Sequence, residues 1–268
     1  MIPFAKAHAY GNDFLYIEER FVTTEPLDRL ARAICHRLHG VGADGLIVYR
    51  RTDAGASMRL LNADGSRAEV SGNGVRALAA LLARNQTDTG ITLTIDTEGG
   101  IKILTRTGVD GSRQTFRADM GEPAGIAVRQ IEAGGEVVTL VVLNMGNPQA
   151  IVLGPLPDDE RFARLGAALE RHPAFPEGTN VEFVQLDTPS RARIRIWERG
   201  VGPTTSSGTG SCASWVAAAA HGGANRAGEV IAPGGAQWVD WTGPHVILTG
   251  WAEVICDGQW YPSHSMTR

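Results

Sequence analysis

The strongest constraint on the fold is a helix entrance that occurs twice. Ser206-Ser207-Gly208-Thr209-Gly210-Ser211-Cys212-Ala213 runs without a break into an alanine-rich stretch that continues through Ala220. Val70-Ser71-Gly72-Asn73-Gly74-Val75-Arg76-Ala77 does the same 136 residues earlier. Small residues at such an entrance leave the first backbone N–H groups bare at the positive end of the helix dipole, an arrangement suited to an anion. In a single copy, Ser71 or Ser207 reads as an ordinary N-cap worth about 1 kcal/mol. Two copies in register argue for a binding site.

The same offset aligns much of the chain. Gly42 meets Gly178, Asp44 meets Asn180, Arg59 meets Arg195 and Asn62 meets Glu198, while Gly11-Asn12 meets Gly146-Asn147 one residue short. Order and element type are kept throughout, so the halves are expected to be similar domains, 1–120 and 121–268, with the last residues from about 258 able to pack back on the first. Two such halves suggest a shared cleft with two equivalent reaction faces.

Local pattern fills in the elements. Residues 4–18 read as two strands around Tyr10-Gly11-Asn12-Asp13, 26–38 as a helix with Pro26 in its first turn, and 46–49 and 58–61 as strands. Alternating strands at 91–96, 101–105 and 114–120 form a meander. In the second half, strands are expected at 137–143, 181–186 and 193–197, a helix at 162–170, and two hairpin-like strands at 245–248 and 252–256.

Composition narrows the class. The chain has 268 residues, 43% of them hydrophobic, enough for two cores, and its 33 glycines suit a turn-rich α/β chain better than a helical bundle. A net charge of −4 with no basic block gives no electrostatic support for nucleic acid or an anionic membrane. The longest apolar run, 137–143, is far too short to span a bilayer, and the N-terminus has no secretory pattern. Three cysteines, Cys35, Cys212 and Cys256, have no disulfide-framework spacing and point to a reduced, cytoplasmic protein.

Several familiar motifs fail on context. Gly40, Gly42 and Gly45 spell a dinucleotide fingerprint, but a helix precedes them and a strand follows, the reverse of what that motif requires. Neither serine sits in a nucleophile elbow. Cys35, His36 and His39 lack partners elsewhere for a metal site. Glu198-Arg199-Gly200, a carboxylate and a guanidinium just before the second entrance, falls opposite Asn62 in the repeat and is expected to line a cleft.

Taken together, Tyr10-Gly11-Asn12-Asp13-Phe14, Gly40 to Gly45, Asn62-Ala63-Asp64-Gly65-Ser66, Ser71-Gly72-Asn73-Gly74, Met145-Gly146-Asn147-Pro148, Asn180-Val181, Glu198-Arg199-Gly200 and Ser207-Gly208-Thr209-Gly210 resemble the diaminopimelate epimerase family, in family order from residue 4 to about 220. The resemblance implies an α+β fold of two pseudo-symmetric domains, each a mixed, largely antiparallel sheet or barrel wrapped around a central helix. It implies an isomerase without a cofactor or metal, converting LL- to meso-diaminopimelate, a precursor for lysine and peptidoglycan. Its partner is then a small amino-acid substrate, and a homodimer is left open. By the same likeness, Asn12, Asn62, Asn147, Asn180 and Arg199 contact the substrate. The turns Gly72-Asn73 and Gly208-Thr209 cradle its α-carboxylate.

The chain also departs from the family pattern, which places a cysteine before each Gly-x-Gly where this sequence has Ser71 and Ser207. A free thiol has a pKa of about 8.5 and a helix N-terminus can bring it to thiolate near neutrality. A serine hydroxyl given the same help stays protonated and needs an adjacent strong base. The family's helper histidine is replaced by Gln149 and a further glutamate before the second turn is absent, with Pro203 nearby, leaving Glu198 as the expected base. Cys212 lies on the helix, away from its mouth. Three explanations are compatible with these residues: deliberate serine substitution, a natural relative using Glu198 with Ser71 and Ser207 in the proton-transfer positions, or a silent amino-acid-binding protein. Gln149 and Pro203 favour natural divergence over thiol replacement.

Overall fold

The two entrances lead into helices that are apolar around their whole circumference, and a helix of that kind must be enclosed. Residues 1–22 and 26–262 are described by a computed structural model of the chain. They fall into two compact units, one of Met1–Ala118 with the chain from Trp251 onward, the other Asp119–Gly250.

The first unit contains β1 (Ile2–Ala9), β2 (Asn12–Glu18), α1 (Leu27–Cys35), β3 (Gly45–Thr52), β4 (Gly55–Asn62), the short β5 (Arg67–Ala68), α2 (Gly72–Ala83), β6 (Thr92–Thr97), β7 (Gly100–Asp110) and β8 (Arg113–Asp119). The second contains β9 (Ala124–Ala133), β10 (Glu136–Asn144), β11 (Pro148–Leu153), α3 (Asp159–Glu170), β12 (Asn180–Thr188), β13 (Arg191–Glu198), the short β14 (Gly202–Thr204), α4 (Gly208–Ala217), β15 (Ala227–Ala232) and β16 (Gly235–Asp240), with the start of β17 (Ile247–Trp260).

In the first unit the pairings run β1–β2–β3–β4–β6–β7–β8–β17 and return to β1, a closed eight-stranded barrel. β2 with β3 and β4 with β6 are parallel, because α1 and α2 are the crossovers between them, and the hairpin-linked pairs β3–β4, β6–β7 and β7–β8 are antiparallel. The second unit repeats this plan. β11 and β12 are parallel across α3, β13 and β15 are parallel across α4, and β15, β16 and β17 form an antiparallel run. Backbone hydrogen bonds Met120 N to Val246 O (2.9 Å) and Val246 N to Gly121 O (2.8 Å) tie its outer segments together.

Each unit therefore has an inner and an outer apolar layer, and strand alternation divides the residues between them. In the second unit, Leu140, Val142, Val181 and Phe183 pack outward with Phe162, Leu165 and Leu169 of α3. Val141, Leu143, Ile151, Val184, Ile194 and Ile196 pack inward with Ala213, Trp215 and Val216 of α4. In the first unit α1 lays Leu30, Ala31 and Ile34 on the outside of β2 and β3. Tyr16 on β2 donates its hydroxyl to Gly74 O (2.9 Å), fixing the first turn of α2 against the sheet.

Some sequence expectations change. The pair of strands at 245–248 and 252–256 is one long strand, β17, and the return to the first unit begins at Trp251 rather than near 258. The reason is the β1–β17 register, which already pairs His8 with Glu253 and continues to Ile2 with Trp260. Residues 263–268, part of the expected packed-back tail, lie outside the described residues. The second central helix stops as an α-helix at Ala217, and Ala218–Gly222 form a π-helical turn closed by left-handed Gly223. Strands β9, β11, β15 and β16 are additional to those expected from the sequence.

The fit around α4 is close. A Cβ built on Gly228 of β15 lies 2.1 Å from Trp215 Cη2, and Trp215 is completely buried. Gly228→Ala should therefore lower stability by about 1–3 kcal/mol through overpacking, read as a lower urea midpoint at unchanged slope. An unchanged midpoint would mean that Trp215 can give way.

Candidate active site

Both entrances form as their small residues dictate. Ser71 and Ser207 are the N-caps of α2 and α4, in extended backbone, and each hydroxyl accepts from the N–H three residues on: Gly74 N to Ser71 Oγ at 3.1 Å and Gly210 N to Ser207 Oγ at 3.0 Å. Neither helix carries an acidic side chain in its first turn, so its own sequence does not offset the dipole.

An asparagine from the preceding hairpin reaches the second residue of each helix. In the first unit Asn73 Nδ2 donates to Asn12 Oδ1 at 3.4 Å, and in the second the Asn147 side-chain amide is hydrogen-bonded to Thr209 Oγ1 at 3.4 Å. The repeated contact brings Asn12 with Asn73, and Asn147 with Thr209, to the rim of each mouth beside Gly72 and Gly208. Asn12 is held further by Asp44, whose Oδ2 accepts from Asn12 Nδ2 (2.7 Å) and Asp13 N (3.1 Å). Burial raises the Asp13 carboxyl, but hydrogen bonds from Lys6 and Arg37 outweigh it and hold that carboxyl below its usual range. Arg76, fully buried one turn into α2, donates to Asn73 Oδ1 at 3.2 Å.

Asn180 and Arg199 also come together. Asn180 Oδ1 accepts from Arg199 N (2.9 Å), and Glu170 accepts from Gly200 N (2.9 Å) and Trp197 Nε1 (2.8 Å), which fixes the turn after Glu198. The Arg199 guanidinium donates to Glu177 O at 3.0 Å. Asn62 ends β4, where its side chain donates to Ser66 Oγ at 2.9 Å. Cys212 is buried among the α4 core residues, and burial, followed by Asp13, pushes the Cys35 thiol up to about 12. Among the described residues no three His, Cys, Asp or Glu side chains group as a metal site, and no helix is long and apolar enough to cross a membrane.

One residue of the second mouth escaped the sequence reading. Glu182 is completely buried in β12, between outward-packed Val181 and Phe183, so alternation turns it inward to α4. A Cβ built on Gly210 lies 2.4 Å from Glu182 Oε1 and 3.0 Å from Ser207 Oγ, so carboxyl and hydroxyl crowd one point of the first turn. Gln149, with its amide oriented by its neighbours, donates to both Glu182 oxygens (3.0 and 3.2 Å) and accepts from Asn180 Nδ2 (3.2 Å). Burial, and then the negative charge of Glu198, push the Glu182 carboxyl well above the usual glutamate range. The α4 dipole pulls the other way by about 0.3–2 kcal/mol, less than the cost of a fully buried carboxylate. A glutamate at an inward position of the apolar segment Asn180-Val181-Glu182-Phe183-Val184 was the readable signal.

The diaminopimelate epimerase profile matches residues 4–126 and 141–255. The chain belongs to the diaminopimelate epimerase family. It is 40% identical to the diaminopimelate epimerase of Desulforudis audaxviator over 97% of this chain and 99% of that one. It is 36% identical to the diaminopimelate epimerase of Pelotomaculum thermopropionicum over 97% and 98%. Among solved structures, one described as a predicted epimerase from Pseudomonas aeruginosa superimposes with a TM-score of 0.76 over 98% of this chain and all of its own, at 14% identity, a likeness of fold. The family's two-part α+β architecture is the one described above, and the family's members are isomerases.

Because the folded Glu182 keeps a proton that the unfolded chain has released, wild-type stability falls as pH rises from the ordinary glutamate value of 4.5 toward the raised folded one. Glu182→Gln should remove that slope. Its stability relative to wild type should increase with pH above about 4.5, followed by urea unfolding across the range. A difference that does not vary with pH would mean that Glu182 is ionised in the folded protein.

Proposed function

We propose that this chain is a cytoplasmic, cofactor-independent amino-acid epimerase that moves the α-proton of diaminopimelate, on the route to lysine. The near-full-length similarity to enzymes of that name carries the reading. Two serine-capped helix mouths, each with an asparagine rim at the same 3.4 Å contact, support it. The first backbone N–H groups of α2 and α4, at Gly72-Asn73 and Gly208-Thr209, suit a carboxylate. Asn12, Asn62, Asn147, Asn180 and Arg199 supply polar contacts to an amino acid. Ser71 and Ser207 take the proton-transfer positions, with Glu198 as a nearby base.

Incubation with LL- or meso-diaminopimelate in heavy water should incorporate deuterium at Cα and interconvert the isomers, followed by proton NMR and chiral chromatography. Binding by calorimetry without any exchange would make the chain a silent amino-acid binder. Absence of both would remove diaminopimelate as its ligand. Replacing both Ser71 and Ser207 with cysteine should raise the epimerisation rate by about 100-fold or more if acidity at those positions limits the reaction. An unchanged rate would place the limit elsewhere.

A further inference from the structure

The two mouths are alike in backbone and unlike in what lies beneath them. Under α2, the space at Gly74 is bounded by Ile47 Cδ1 (2.8 Å from a built Cβ) and the Phe14 ring (3.5 Å). Under α4, the equivalent space at Gly210 is bounded by Glu182 Oε1 and Ser207 Oγ. The inward residue that holds the place of Glu182 under α2 is Ile47, so the carboxyl belongs to the second mouth only. An enclosed carboxyl has a cost unless its hydrogen bonds are made. Gln149 supplies donors to it from β11 but carries no exchangeable acid of its own, and Glu198 lies close enough for its charge to be felt.

Ser207 presents the complementary gap. Its Oγ accepts from Gly210 N, which leaves its O–H free to turn as a donor and its second lone pair free to accept. A serine so capped transfers a proton only if another group takes or supplies one. The acid that borders the same position of that turn is Glu182, which reaches in from β12 to Gly210.

We propose that Glu182 is the proton reservoir for Ser207, acting through the serine hydroxyl and never touching the substrate. This rests on the epimerase reading for the substrate and on the geometry for the pair. In the donating direction, the electron pair on the substrate α-carbon takes the Ser207 hydroxyl proton, forming C–H and breaking O–H. Oγ regains a proton from the Glu182 carboxyl, which becomes a carboxylate. In the abstracting direction the same bonds form and break in reverse: Cα–H gives its proton to Oγ as the hydroxyl proton passes to the Glu182 carboxylate. No oxidant or further reactant is needed. Glu182 is thus a positioning residue for proton transfer, Ser207 the group at the reacting carbon, and Gln149 the amide that holds the carboxyl in place.

Two measurements test this separately from the choice of substrate. Glu182→Gln keeps the shape and a hydrogen-bonding amide but removes the acid. In heavy water with diaminopimelate it should lose Cα exchange by about 100-fold or more, with calorimetric affinity within about threefold, a loss in kcat rather than KM. Exchange within twofold of wild type would overturn the proposal. The second readout uses no substrate. The infrared difference spectrum between wild type and Glu182→Gln at neutral pH should contain a protonated-carboxyl band, and Ser207→Ala should shift it. Absence of the band, or a band that Ser207→Ala leaves in place, would overturn the proposal even if diaminopimelate proves to be the wrong ligand. If wild type neither binds nor exchanges diaminopimelate but the band is present and moves, the pair stands and only the substrate falls.

Discussion

Each central helix is enclosed on every side by strands, and the remaining organisation of its unit follows from that enclosure. A buried helix has no solvent to satisfy its first N–H groups, so its entrance must be capped by side chains or left open to a ligand. Ser71 and Ser207 each satisfy one of these donors. The glycines that follow let neighbouring strands approach: at Gly210 even a methyl group would collide with Glu182, and at Gly74 with Ile47. Strand direction is set by the same constraint, because a helix threaded through a barrel turns the strands at its two ends into a parallel pair.

Within this frame the two units keep backbone roles and exchange side chains. The asparagine-to-helix contact is reproduced at the same distance with Asn73 in one unit and Thr209 in the other. The support behind it differs. Asp44, Lys6, Arg37 and Asp13 form a charged network behind Asn12, whereas Asn180, Gln149 and Glu182 form an uncharged, hydrogen-bonded one behind Asn147. A charged cluster survives where part of it meets solvent. The enclosed carboxyl of Glu182 is better accommodated with its proton retained.

Much of this was legible from residue types. The duplicated entrances, the flanking strands, the outer helices α1 and α3 and the family itself are written in local patterns: glycine spacing, helical periodicity and alternation. Strands β9 and β11 were less legible because their exposed and buried positions alternate weakly, and β15 and β16 because their alternating segments are short and rich in alanine and glycine. The continuity of β17 depends on pairing with β1, hundreds of residues away in sequence, and no local signal marks it. Arg76 and Glu182 were overlooked as members of the mouths because a charged residue in an apolar run reads as an interruption until its neighbours are known.

The sequence by itself determined that two similar halves each carry a serine-capped, glycine-lined helix entrance, since those are properties of residue type and spacing along the chain. It also made plain that serine alone is too weak an acid for the chemistry such an entrance invites. Only the tertiary structure decided that a carboxyl borders the turn capped by Ser207, where the turn capped by Ser71 is bordered by Ile47. That carboxyl is Glu182, 25 residues before Ser207 in the chain, and it reaches Gly210 because β12 runs beside α4 with alternate side chains turned inward. Its protonation is likewise a property of the folded state, created by enclosure and by the nearby charge of Glu198.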